Sequence, residues 1–393
     1  MSTSETKTAS NIIEPFHVNI PQSTLDDLKH RLDLVRWPER ETITDWSQGV
    51  PLVKARTLID YWRTKYDWCR FESKINKLPN FRTTIDGLGI HFIHVKSKHD
   101  NALPLLLTHG WPGSFIEFLR TIPLLTDPTA FGGKAEDAFH VVIPSLPGFA
   151  FSDKPAETGW NSERIAKAWI VLMERLDYKH WVAQGGDWGA SITTVLGRIH
   201  PPGLLAIHLN FPFVFPEKLP EILSHDEQLA VEAANKFLTD GSGYFHEHST
   251  RPQTIGYALC DSPVALAMWI YEKFYAWTDN NGNPEDALEL DEMLDNITLY
   301  WITNTGASSV RIYWEHQQHA KGVRFAGPKL DLPVAASIFP REIYRAPKSW
   351  AEQKYSNLIY WKEHEKGGHF AAFQHPELFT DDLRAAFRTI RRT

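Results

Sequence analysis

Apolar and polar positions change rhythm twice along this chain. Up to about residue 80, apolar residues recur at three- and four-residue spacing: Leu25, Leu28, Leu32 and Val35, then Leu52, Ala55, Ile59, Trp62 and Tyr66. That spacing lines one face of a helix, so two amphipathic helices are predicted. Ser23 with Asp26 reads as the cap of the first, Pro38 as its stop, and Pro51 as the start of the second. From Phe81 the period shortens to two. Residues 81–85 and 90–95 alternate around Asp86-Gly87, the pattern of a β-hairpin. Short apolar runs then alternate with helical stretches: strands at Leu103–Thr108, Phe139–Pro144, 180–184 and Leu204–Leu209, and helices at 114–125, 162–176 and Trp188–Ile199. Strands separated by helices of this length predict an α/β fold, a mostly parallel sheet with helices on both faces.

The alternation stops at Asn210. From 212 to about 327 the chain reads as helical and rich in Trp and Tyr, punctuated by Pro216, Pro220, Pro252, Pro263 and Pro284. Strand–helix order resumes with 332–338, 358–364 and a last helix over 376–390. The simplest organisation has four parts: an N-terminal helical segment (1–80) packing on the core, a first piece of core (81–211), a helical cap (212–327), and a second piece of core (328–393). No internal repeat or low-complexity linker interrupts it.

Composition narrows the classes. A chain of 393 residues with 42% hydrophobic and 23% charged residues can bury a sizeable core. A net charge of −7 leaves no general basic surface for nucleic acid or anionic lipid. The basic cluster Arg388, Arg391 and Arg392 reads as a solvated helix end. The first ten residues are polar, and no apolar run approaches the ~18 residues of a membrane span, so neither signal peptide nor membrane anchor is expected and a cytoplasmic setting is the default. Cys69 and Cys260, far apart in aromatic or apolar settings, read as buried free thiols. Asn296-Ile297-Thr298 fits a glycosylation sequon by chance. Fifteen tryptophans imply large packing surfaces or an aromatic-lined pocket for an apolar ligand.

The sharpest local signal is Gln184-Gly185-Gly186-Asp187-Trp188-Gly189-Ala190, where a predicted strand runs straight into a helix. Such a turn strains the central residue and needs small neighbours. Esterases carry serine there; here it is Asp187, which could also simply cap the helix. A carboxylate can attack a saturated carbon, displacing an epoxide oxygen or a halide, and becomes an ester that water must then cleave. Gly367-Gly368-His369-Phe370 follows the last predicted strand, where a general base is expected. Glu342, at the end of the preceding strand, is the candidate acid partner; Glu352 is an alternative, Asp331 lies at the wrong strand end, and a surface pair with Arg341 or Arg345 is the plainer reading of Glu342. His109-Gly110-Trp111-Pro112 follows the strand Leu103–Thr108, so the Trp111 and Trp188 backbone N–H groups are candidates for an oxyanion hole. No metal-ligand spacing or phosphate loop is present, and neither metal nor cofactor is expected.

Taken together, these runs resemble the microsomal-type epoxide hydrolase family, with its soluble bacterial and fungal members, over nearly the whole chain. The likeness includes Asp45-Trp46-Ser47, His109 to Pro112, Gly185 to Gly189 (with Gly186 before the nucleophile) and Gly367 to Ala372. It implies an α/β-hydrolase fold and an enzyme that turns a small apolar or aromatic epoxide and water into a diol; it also allows a homodimer. It further implies that two cap tyrosines hold the epoxide oxygen, and Tyr244 and Tyr313 match those motifs. Opening an epoxide puts negative charge on an oxygen that stays in the product, which a phenolic O–H can stabilise and protonate. A dehalogenase, which shares the Asp-Trp turn, and a non-catalytic binder on this fold are the rival readings.

Overall fold

A computed structural model describes residues 12–319 and 329–392. The polar N-terminal stretch and the expected cap boundary at 327/328 lie outside them. Among the described residues nine strands form one sheet: Ile13–Pro15 (β1), Asn80–Ile85 (β2), Leu88–Val95 (β3), Leu103–Thr108 (β4), Phe139–Pro144 (β5), Trp181–Gly185 (β6), Leu204–Leu209 (β7), Val334–Ile338 (β8) and Leu358–Glu363 (β9). Their order is β1-β2-β3-β5-β4-β6-β7-β8-β9. From β5 to β9 every neighbouring pair is parallel, as the intervening helices require, whereas β1, β2 and β3 are antiparallel and join through β3 and β5. Asp86 and Gly87 both take positive φ, 50° and 78°, the geometry that lets a two-residue loop close a twisted hairpin.

Several local expectations need correction. β1 was not anticipated: three residues ending in proline carry too little alternation to register. The first helix starts at Gln22 on Pro21, with no side-chain cap, so Ser23 lies inside it and does not cap it. The expected helix at 114–125 is two pieces, a 3₁₀ turn Phe115–Phe118 that Ser114 caps and a helix Thr121–Thr126. Cys69 is exposed and Cys260 half-buried, both free. Trp68, Phe71 and Ile75 form the inward face of the helix Trp68–Ile75, and Cys69 lies a hundred-degree step off it. Of the C-terminal arginines, Arg388 is exposed as expected and Arg391 half-buried, and both have partners. Arg388 forks onto Asp137 at 2.8 and 2.7 Å, and Arg391 donates to the Ala138 carbonyl.

Between β7 and β8 the described chain is helical, from His225–Lys236 to Gly306–His319. The N-terminal helices are tied to this insertion by buried polar contacts: Trp62 Nε1 donates to Thr298 Oγ1, and Tyr66 Oη to Asp295 Oδ1. The insertion also grips the sheet side. Asn296 Nδ2 donates to the Pro112 carbonyl and its Oδ1 accepts from Ser114, while Tyr300 donates to the Gly113 carbonyl. Asn296 is 1% exposed, so the sequon asparagine is spent on positioning the 109–113 loop. Among the described residues no helix is long and apolar enough to cross a membrane.

Candidate active site

β6 passes into the helix Trp188–Ile199 through Gly186 and Asp187, and Asp187 sits at φ 49°, ψ −126°. For a residue with a Cβ that conformation is strained, and tight packing holds it. A Cβ on Gly185 would lie 2.0 Å from the Gly189 carbonyl oxygen, one on Gly189 1.9 Å from that of Thr108, and one on Gly186 2.7 Å from Asn210. The small residues are therefore a steric requirement of the turn. The turn lifts Asp187 toward the loop after β4. There the Trp111 backbone N–H donates to Asp187 Oδ1 at 2.8 Å.

Gly110 faces the same oxygen: its Cβ would lie 2.0 Å from Asp187 Oδ1. Gly110→Ala is expected to displace the carboxylate and lower kcat/KM roughly 100-fold, the size of effect that an ångström of misplacement produces. Steady-state kinetics with a thermal melt beside them would check this; near-normal kcat/KM would show that the carboxylate position is not critical. His109 holds the loop without titrating. Its Nε2 accepts from the Leu146 N–H and its Nδ1 faces the Gly110 carbonyl, a neutral tautomer, and burial pushes its pKa down to about 4.

His369 Nε2 stands 3.3 Å from Asp187 Oδ2, and its Nδ1 2.6 Å from Glu342 Oε1. Glu342 also accepts the Ile343 N–H. Arg341 turns to Asp279, and Glu352 and Asp331 are exposed, so the surface pairing expected for Glu342 does not form. Burial opposes charge on the His369 ring, but the Glu342 and Asp187 carboxylates outweigh it and hold its pKa well above the usual histidine value. His369 thus lies between two carboxylates that both favour its protonated form.

Tyr244 and Tyr313 come from two helices of the insertion, with ring centroids 5.9 Å apart and planes at 85°. Trp111 stacks on Tyr244, and Trp188 meets Tyr313 edge-on at 4.7 Å. Both phenols are buried. Burial first, with Asp187 adding to it, raises both well above the usual phenol range, so they stay protonated as donors. The Tyr313 hydroxyl is buried between Tyr244 and Trp188 and interacts with both by hydrogen bonding.

One residue of the site was not foreseen. Glu117 lines a small enclosed cavity with Asp187, His369, Asn210 and His109, with room for about one water. Gly113 makes space for its carboxyl, since a Cβ there would lie 1.4 Å from Glu117 Oε1. Ser114-x-x-Glu117 has the spacing of a helix-capping pair, which disguised it. Burial raises Glu117 to about 8, with His369 opposing and Asp187 adding. A carboxyl raised above its unfolded value binds a proton in the folded state that the unfolded chain has released, so stability falls from about pH 4.5 to pH 8. Glu117→Gln is therefore expected to gain on the wild type over that window by on the order of 2 kcal/mol, read by denaturant melts at pH 5 and 8. An unchanged difference between the two pH values would refute the assignment.

Comparison with known proteins places the chain in a family. Residues 13–118 match the family described as Epoxide hydrolase N terminus, and residues 104–243 the alpha/beta hydrolase fold family. A Stigmatella aurantiaca protein provisionally named an epoxide hydrolase is 66% identical over 96% of this chain and 86% of its own. Epoxide hydrolase 1 of Sus scrofa is 37% identical over 95% of this chain and 88% of its own. The structure of Aspergillus niger epoxide hydrolase superposes with a TM-score of 0.86 at 34% identity, covering 98% of each chain. With this fold, and with relatives of this similarity aligned over nearly its whole length, the chain belongs to the microsomal-type epoxide hydrolase family.

Proposed function

We propose that this protein hydrolyses an epoxide to a vicinal diol in two covalent steps on Asp187, with the helical insertion as a cap over the site. The observation that carries this reading is the placement of the Asp187 carboxylate, one oxygen on the Trp111 N–H and the other beside His369. Asp187 Oδ2, the oxygen not held by the Trp111 N–H, attacks one epoxide carbon. The carbon–oxygen bond of the ring breaks, and the departing oxygen takes a proton from the phenol pair Tyr244 and Tyr313. Both phenols are buried and close enough to Asp187 for its charge to act on them, which supports this.

Ester formation removes the negative charge of Asp187, one of the causes that keep His369 protonated. The ring thus gives up its proton more readily, the phenolate left by epoxide opening takes it, and the neutral base needed for the next stage results. His369, oriented by Glu342, then takes a proton from water, with Glu117 beside the cavity in which that water would sit. Water attacks the carboxyl carbon of Asp187, the oxyanion forms on the oxygen held by the Trp111 N–H, and the first amide of the helix, Trp188, is the second donor. A diol leaves.

The walls around Asp187, with Trp111, Trp188, Trp277 and Phe211, suit a small apolar or aromatic epoxide. Diol formation from styrene oxide, measured beside halide release from a bromoalkane, tests the reading. Halide without diol would make the protein a dehalogenase, and binding without turnover would make it a carrier. A cytoplasmic setting and a homodimer belong to the same proposal; a solution mass near that of one 45.0 kDa chain would remove the dimer.

A further inference from the structure

The mechanism so far gives no work to a lysine, yet one is buried against its acid. Lys273, on the helix Pro263–Trp277, is 4% exposed. Its ammonium stands over the Tyr244 ring, 4.5 Å from the centroid, and over Trp277 at 5.6 Å. It has one carboxylate partner, Glu272 Oε1 at 2.8 Å, and that side chain is 35% exposed. Taking an ammonium out of water for a half-solvated partner and two aromatic faces is expensive for a purely structural contact. Among the described residues it is the only lysine or arginine head group over the Tyr244 ring.

Around this phenol a hydrogen bond from Tyr313 favours loss of its proton, and the negative charges of Asp187, Glu342 and Glu272 oppose it. His248, one helical turn along from Tyr244, is kept neutral by burial and by Lys273 itself, so it does not offset them. A cation over the ring works in the opposite sense. It attracts the ring's π electrons, and attracts them more strongly when negative charge spreads into the ring from a phenolate oxygen.

We propose that Lys273 is a positioning residue for epoxide opening, acting through Tyr244: it seats the ring and eases transfer of the phenolic proton to the departing oxygen. The proposal rests on the reading of Tyr244 as a proton donor. In the step, the Asp187 oxygen–carbon bond forms as the ring carbon–oxygen bond breaks. The Tyr244 O–H bond breaks, a new O–H bond forms on the former epoxide oxygen, and the charge left on the phenolate faces the Lys273 ammonium. The proton that His369 gives up after ester formation restores the phenol, and the one it takes from water in hydrolysis restores the ring.

The test is single-turnover kinetics on styrene oxide, resolving ester formation from ester hydrolysis, for the wild type, Lys273→Met, Tyr244→Phe and the double variant. Lys273→Met is expected to slow ester formation about tenfold, to leave hydrolysis within about twofold, and to add nothing in the Tyr244→Phe background. Lys273→Gln, which can still bond Glu272, gives the same readouts where the methionine variant does not fold. Equal slowing of both steps would overturn the proposal as a mere loss of packing. The same loss with or without the Tyr244 hydroxyl would overturn it as well, since Lys273 would then act elsewhere. If Tyr244→Phe alone leaves ester formation unchanged, the donor reading falls and takes this inference with it.

Discussion

His369→Gln is expected to form the ester on Asp187 and then stall, so that the protein accumulates as a covalent adduct while turnover falls roughly 10²–10⁴-fold. The reason lies in the different demands of the two steps. Attack on the epoxide uses the Asp187 carboxylate, whose Oδ1 stays on the Trp111 N–H whatever stands at 369. Hydrolysis needs a group at 3.3 Å from that carboxylate that can accept a proton, and an amide cannot. Glutamine keeps a donor for Glu342, which would otherwise be left as a buried carboxylate with only the Ile343 N–H. Intact-mass spectrometry after mixing with excess epoxide should show the protein heavier by one substrate, with the mass on the peptide containing Asp187. Normal turnover without an adduct would sink the two-step scheme.

Asp187→Ala carries the other large effect. Without the carboxylate no ester forms, and the remaining phenols and His369 have no nucleophile to assist, so kcat is expected to fall at least as far as in His369→Gln and no adduct should appear. The wild type in ¹⁸O-labelled water adds a sharper result. In a single turnover the added diol oxygen is expected to come from Asp187, and the label to appear in the Asp187 carboxylate, since the proposed attack of water is on its carboxyl carbon. Label in the diol in that first turnover would mean direct attack by water and would recast Asp187 as a general base.

Much of this architecture is local and so was readable in the chain. The period-two runs mark strands, the Asp86-Gly87 turn marks the hairpin, and the loss of alternation after Asn210 marks the helical insertion, since each pattern reflects contacts with residues a few positions away. The strand-to-helix turn at Asp187 belongs here too: Gly185, Gly186 and Gly189 are legible because the turn itself has no room for side chains. Elements with little pattern of their own were missed or misread. β1 exists because β2 offers it an edge, and Cys69 is exposed because its helix turns Trp68 and Phe71 inward.

By itself, then, the sequence determined the kinds of element, their order and the residue types available for the chemistry. Only the tertiary structure decided which of them meet. His369 takes Glu342 from 27 residues away, and the Trp111 N–H reaches Asp187 across 76, because the sheet order sets β4 and β8 on either side of β6 and β7. Glu117 reads locally as a helix cap and becomes a titrating wall of the cavity only once Gly113 lets it in. Lys273 reads as one polar position in an aromatic helix and becomes a buried cation over Tyr244. Burial and charge proximity are properties of neighbours in space, and periodicity along the chain does not carry them.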